Sequence, residues 1–156
     1  MMAAPSPAAE FSESQWRQAK SETWDFIRAA VASRPPQRIL YIGCGRDVQG
    51  PEFAAQGHLF VNVDIISEML VFQAAQSGGN PNIINIAADI HALPFAPGSF
   101  DYIIALDVLH HEYREIPELL AKLLALLAPG GTIFLQDPNA WGFYQLPKTL
   151  LLPKPL

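Results

Sequence analysis

The chain has 156 residues, half of them hydrophobic and 16% charged, with a formal net charge of −5. That composition fits one packed domain with a sizeable core and rules out a disordered chain. It offers no basic footprint for nucleic acid or for an anionic membrane surface, so neither is expected as a partner. Cys44 is the sole cysteine, which makes an internal disulfide impossible and suits a reducing, cytoplasmic setting.

Residues 1–11 are Ala- and Pro-rich, without a basic n-region or apolar h-region, and read as a disordered segment rather than a signal peptide. A helix is expected from Ser12 or Ser14 to Ser33, with Trp16, Trp24, Ile27 and Val31 on one stripe and Arg34-Pro35-Pro36 as its stop. Ser21, Trp24 and Asp25 mark a place where it could bend. Arg38–Ile42 is the first strand, running into Gly43-Cys44-Gly45, and Gly50-Pro51 leaves only a short helix before Gly57. His58–Val63 is the second strand, ending at Asp64; Ser67 can cap a helix through Ala75. Asn82–Ala87 is the third strand, and Leu93-Pro94-Phe95 with Pro97-Gly98-Ser99 makes an irregular connection. Phe100–Leu106 is the fourth. Pro117 opens a helix carrying Leu120, Leu123, Leu124 and Leu127 at helical spacing, Pro129-Gly130-Gly131 stops it, and Thr132–Gln136 is the fifth strand. Strands too apolar to keep one wet face, alternating with helices, imply a parallel sheet covered on both sides. Residues 138–156 form an apolar, Pro-rich tail after a domain spanning 12–137. No apolar run approaches the roughly 20 residues that span a bilayer.

The candidate chemistry gathers where strands end. Gly43 and Gly45 bring backbone to the carboxyl edge of the sheet, where open α/β folds bind ligands. Without glycine-lysine-serine or a third glycine at the right spacing they are neither a phosphate loop nor a clean dinucleotide fingerprint, and a plain tight turn would use the same residues. Asp64 ends the second strand, where an acid can accept both hydroxyls of a ribose or simply cap a helix. Asp89 follows the third strand and, with the Ile90 N–H, could read an adenine edge or form an Asx turn. Asp107, His110 and His111 end the fourth, and a histidine there can act as a general base. No metal is expected, because two adjacent histidines without a third ligand make a weak site. Cys44 reads as a small filler, and no Gly-x-Ser-x-Gly elbow is present.

Taken together, these stretches resemble the class I S-adenosylmethionine-dependent methyltransferases of small-molecule type. Ile39–Gly45 is similar to the family's first motif and Val61-Asn62-Val63-Asp64 to its ribose motif. The most specific likeness is Asp89 to Leu93-Pro94-Phe95, followed by Ser99-Phe100-Asp101; Leu109-His110-His111 and Leu127–Thr132 match the next two signatures. The resemblance implies a three-layer Rossmann-like sandwich with a mainly parallel sheet in the order 3-2-1-4-5. It further implies that the last two strands of the usual fold are missing, leaving a truncated chain with the fifth strand on an open edge.

By position, the resemblance implies S-adenosylmethionine as cofactor and a small-molecule acceptor. Gly43 and Gly45 would face its methionine part, Asp64 with Ile65 the ribose, Asp89 and Ile90 the adenine, and Leu106 and Asp107 the methionine end near the sulfonium. His110 or His111 would take a proton from a hydroxyl acceptor. Two departures stand out: Tyr41 occupies a usually acidic position, and Asp47 often a glycine one, so Asp47 is a candidate to replace the missing acid. They motivate an alternative, a non-catalytic methyltransferase-like binding module or an inactive fragment of a longer enzyme. A nicotinamide dehydrogenase is disfavoured by the glycine spacing.

Overall fold

The structure, a computed structural model, describes residues 13–112, 115–137 and 148–153. The expected disordered segment at 1–11 lies outside these residues, as does most of the tail. The first helix, α1 (Glu13–Val31), runs unbroken through Ser21 and Asp25. It is followed by β1 (Arg38–Ile42), α2 (Gly50–Ala55), β2 (Leu59–Asp64), α3 (Ser67–Gln76), β3 (Ile83–Ala87) and β4 (Phe100–Leu106), then α4 (Ile116–Leu126), β5 (Leu127–Asp137) and β6 (Lys148–Pro153). Single 310 turns cover Ile90–Ala92 and Leu109–Glu112.

The sheet order is β3-β2-β1-β4-β5-β6. The first five strands are parallel, in the expected 3-2-1-4-5 order. The sixth corrects the expected strand count. Lys148–Pro153 runs antiparallel to β5, from Lys148 opposite Asp137 to Pro153 opposite Thr132, so β5 is not an open edge. Prolines argued against a strand there, yet a proline at the end of an edge strand removes no needed ladder bond.

Successive strand residues point to opposite faces, and both faces are buried, which is why the strands read as continuous apolar runs. On one face Tyr41, Phe60, Ile104 and Phe134 pack with Trp24, Ile27 and Val31 of α1, Phe53 of α2 and Leu70 of α3. On the other, Leu40, Val63, Ile103 and Leu135 pack with Leu119, Leu123 and Leu126 of α4. Of the leucines read at helical spacing, Leu123 and Leu127 are buried, Leu120 and Leu124 lie on the flank, and Leu119 and Leu126 complete the buried face. The Leu93-Pro94-Phe95 stretch takes the place of a helix between β3 and β4: Leu93 and Phe95 pack on the α4 face, with Phe95 edge-on to Phe100 at 4.9 Å.

Two boundaries differ from the sequence reading. β5 begins at Leu127, opposite Phe100, and its register shifts before Thr132 pairs with Tyr102. Pro129 explains the early exit from helix, since the residue before a proline is pushed toward extended backbone. Ser67 is not the cap of α3; Ile66 holds that position without a side-chain bond, and Ser67 Oγ turns to Glu68 at 3.2 Å.

Candidate active site

The β1 turn is built by close approach. Gly43 has φ +65°, and a Cβ there would lie 2.7 Å from Val108 Cγ2 in the loop after β4. Only a residue without a side chain lets the two strand ends meet this closely in that conformation. The turn's donors are already used. Gly43 N–H and Cys44 N–H donate to Val63 O at 2.8 and 3.3 Å, and Gly45 N–H donates to Asp64 Oδ2 at 2.8 Å. Burial, with Asp64 adding to it, pushes the Cys44 thiol up to about 12, so it stays protonated and is no nucleophile.

Asp64 is 8% exposed and joins the first two strand ends. Its second oxygen accepts from Ile66 N–H at 2.9 Å, leading the chain into α3. Each oxygen keeps a further lone pair for a ligand. Asp89 accepts from His91 N–H at 2.8 Å in an Asx turn that starts the 310 segment. Asp107 directly follows β4 with φ 61°, a left-handed conformation unusual for a non-glycine residue, and its N–H donates to Gln136 O at 2.7 Å.

A cavity of about 710 Å³ opens at this carboxyl edge. Gly43, Asp64, Ile65, Asp89, Ile90, Asp107 and His111 all line it, so most of the sequence candidates converge. Gly45, Leu106 and His110 do not: Gly45 turns its N–H to Asp64, Leu106 is buried under the sheet edge at 1% exposure, and His110 sits beside the cavity. Val108, His91 and Glu115 also line it and were not among the sequence candidates for the site. His91 Nδ1 lies 3.6 Å from Glu115 Oε2.

Asp47 does not stand in for an acid at the cavity. It faces α1, where Oδ2 accepts from Trp24 Nε1 and Tyr41 OH at 2.9 Å each and pairs with Lys20 Nζ at 3.1 Å; Oδ1 accepts from Gln49 Nε2 at 2.7 Å. Burial pushes the Asp47 carboxyl up, but Lys20 and the three hydrogen bonds outweigh it and hold it below the ordinary range. Burial, and then the Asp47 charge, push the Tyr41 hydroxyl well above its usual value, so it remains a donor. Tyr41 and Asp47 thus form one partnership that ties α1 to the turn.

Asp137, at the end of β5, was not singled out by sequence. Its oxygens accept from Leu109 N–H at 3.3 Å and His110 N–H at 3.1 Å, and His110 Nδ1 lies 2.9 Å from Oδ1. The His110 and His111 rings are in contact, tilted by 41° with centroids 4.0 Å apart. Asp107, His110 and Asp137 each bring a donor-type atom within 4.8 Å of the others. Within the group, His110 Nδ1 lies 2.9 Å from Asp137 Oδ1 and 3.5 Å from Asp107 Oδ1.

A family profile described as a methyltransferase domain matches residues 40–135. The chain is 29% identical over 122 residues to the ubiquinone biosynthesis O-methyltransferase of Xanthomonas campestris, covering 74% of this chain and 48% of that protein. It is 30% identical over 133 residues to a highly reducing polyketide synthase of Gibberella moniliformis, covering 77% of this chain and 5% of that one. The chain thus spans about half the length of the first relative and a small part of the second. An S-adenosylmethionine-dependent methyltransferase from Mesorhizobium loti superposes with a TM-score of 0.65 at 24% identity, over 74% of this chain and 53% of that one. The profile match covers more than half of the sequence, and the chain belongs to the methyltransferase-domain family, the class I S-adenosylmethionine-dependent methyltransferases.

Proposed function

We propose that this chain binds S-adenosylmethionine in the carboxyl-edge cavity and transfers its methyl group to a small-molecule acceptor in the cytoplasm. The observation that carries the reading is the convergence of Asp64, Asp89 and Asp107, from three successive strand ends, with Gly43 around one cavity. Its volume is in the range of small-molecule sites. The lining fits the group: carboxylates suit a ribose and a cationic ligand, while Ile65, 70% exposed, and Ile90 offer apolar surface to a flat base. In this reading Asp64 takes the ribose hydroxyls, Asp89 and Ile90 the adenine, and Asp107 the methionine end. The bound cofactor supplies an activated methyl group, so the protein's work is alignment and proton handling. Among the described residues no helix is long and apolar enough to cross a membrane.

Incubation with S-adenosylmethionine and a panel of hydroxyl, amine and thiol acceptors, read as S-adenosylhomocysteine release, tests the transfer. Release that depends on the acceptor is expected. A second reading, cofactor binding without turnover, is favoured by one observation: the Asp47 carboxylate is spent on Lys20, Trp24, Tyr41 and Gln49, away from the cavity. Binding with no release across the panel would support it.

A further inference from the structure

We propose that Asp137 is a positioning residue for His110, holding its imidazole so that Nε2 is the bare nitrogen that takes a proton from a hydroxyl acceptor. The inference rests on the methyl-transfer reading above and deepens it by naming the acceptor class.

The tautomer follows from the donors around Asp137. An ionised carboxylate only accepts hydrogen bonds. Asp137 already accepts two backbone N–H groups, from Leu109 and His110, which fix its orientation. The remaining contact, His110 Nδ1 at 2.9 Å, is therefore Nδ1–H donating to Oδ1. In the neutral ring that leaves Nε2 unprotonated. The His111 ring, tilted by 41° with its centroid 4.0 Å away, restricts it from one side. Two carboxylates lie close to Nδ1. Asp107 Oδ1, from the end of β4, lies 3.5 Å from Nδ1, and Asp137 approaches from β5. Glu115, at the start of α4, faces His91 at 3.6 Å, and Lys148 is the register partner of Asp137 in β6. Asp107 also lines the cavity, so the pair abuts its β4 side.

The step balances. The acceptor's O–H bond breaks and its proton passes to Nε2. The acceptor oxygen forms the new O–CH3 bond with its lone pair, while the CH3–S bond of S-adenosylmethionine breaks with its electrons staying on sulfur. A hydroxyl that keeps its proton at neutral pH needs this base; an aromatic amine, whose lone pair is free at neutral pH, does not.

Asp137→Asn is the discriminating variant. The amide oxygen can still accept from Leu109 N–H and His110 N–H, but its NH2 now donates toward Nδ1 and drives the proton to Nε2. Imidazole-edited 15N NMR reads the tautomer directly and needs no turnover. The expected result is Nδ1–H for His110 in the wild type and Nε2–H in Asp137→Asn. With p-cresol and p-toluidine as probes, cresol methylation is expected to fall by about 10²-fold in the variant, with the S-adenosylmethionine KM unchanged and Asp137→Glu restoring part of the rate. Nε2–H in the wild type, wild-type cresol turnover in Asp137→Asn, or turnover that requires added Mg²⁺ would overturn the proposal. Calorimetric binding of S-adenosylmethionine is measured alongside. Its absence in the wild type defeats the cofactor reading, whereas the NMR result decides the His110–Asp137 pairing on its own.

Discussion

Replacing Gly43 by alanine tests whether the β1 turn is shaped by contact with the β4 loop. The new Cβ would sit 2.7 Å from Val108 Cγ2 and 3.0 Å from its Cβ, where ordinary contact begins at 3.4 Å. Overlap of this size in a packed site costs about 1–3 kcal/mol. Holding alanine at φ +65° adds about 1–2 kcal/mol, and the reduced freedom of the unfolded chain returns about 0.4–1 kcal/mol. The net expectation is a loss of about 2–3 kcal/mol, read from urea denaturation followed by far-UV circular dichroism. Val108→Ala removes the nearest methyl but leaves the Cβ contact, so Gly43→Ala should cost about 1 kcal/mol less in that background. A Gly43→Ala protein within 0.5 kcal/mol of the wild type (roughly the scatter of neutral substitutions), or no coupling to Val108, would refute the reasoning.

Asp47→Asn should lower stability by about 1–3 kcal/mol, because it weakens four contacts at a largely buried carboxylate. The folded-state pKa of Asp47 is depressed, so its contribution is present above the ordinary value of 3.8 and is lost as pH falls from there through the folded value. Chemical denaturation at stepped pH should show that acid limb in the wild type and a smaller one in the variant. His58 is 1% exposed and accepts from Gln37 N–H through Nδ1 at 3.0 Å, and burial holds its pKa below the ordinary 6.5. The unfolded chain then takes up a proton first, so stability falls as pH drops below 6.5. His58→Asn, which keeps an acceptor near the Nδ1 position, should flatten that limb; an unchanged slope would count against it.

The central parallel strands were legible because each is an apolar run bounded by Gly, Pro or Asp. The site was legible in part for a related reason: acids that end parallel strands must gather at one edge, so Asp64, Asp89 and Asp107 could be placed without knowing their contacts. What failed was anything decided by a distant partner. Asp47 looked available to a ligand until Lys20 and Trp24 of α1, more than 20 residues earlier, were found on it. Asp137 obeys the same strand-end rule as the other acids but drew no attention, since its link to His110 spans 27 residues. β6 was hidden by its prolines and by local reading of a tail whose partner, β5, decides its conformation. The stripe of α4 was legible at Leu123 but not at Leu119 and Leu126, because five leucines in the helix leave several helical faces equally apolar and only packing selects among them.

The most direct test is isothermal titration of the folded chain with S-adenosylmethionine, repeated with Asp64→Ala. The account predicts saturable binding at one site in the wild type. It predicts at least tenfold weaker binding in Asp64→Ala, with circular dichroism showing that the sheet persists. A folded wild-type chain that takes up no S-adenosylmethionine, or an Asp64→Ala chain that binds it equally well, would contradict the account.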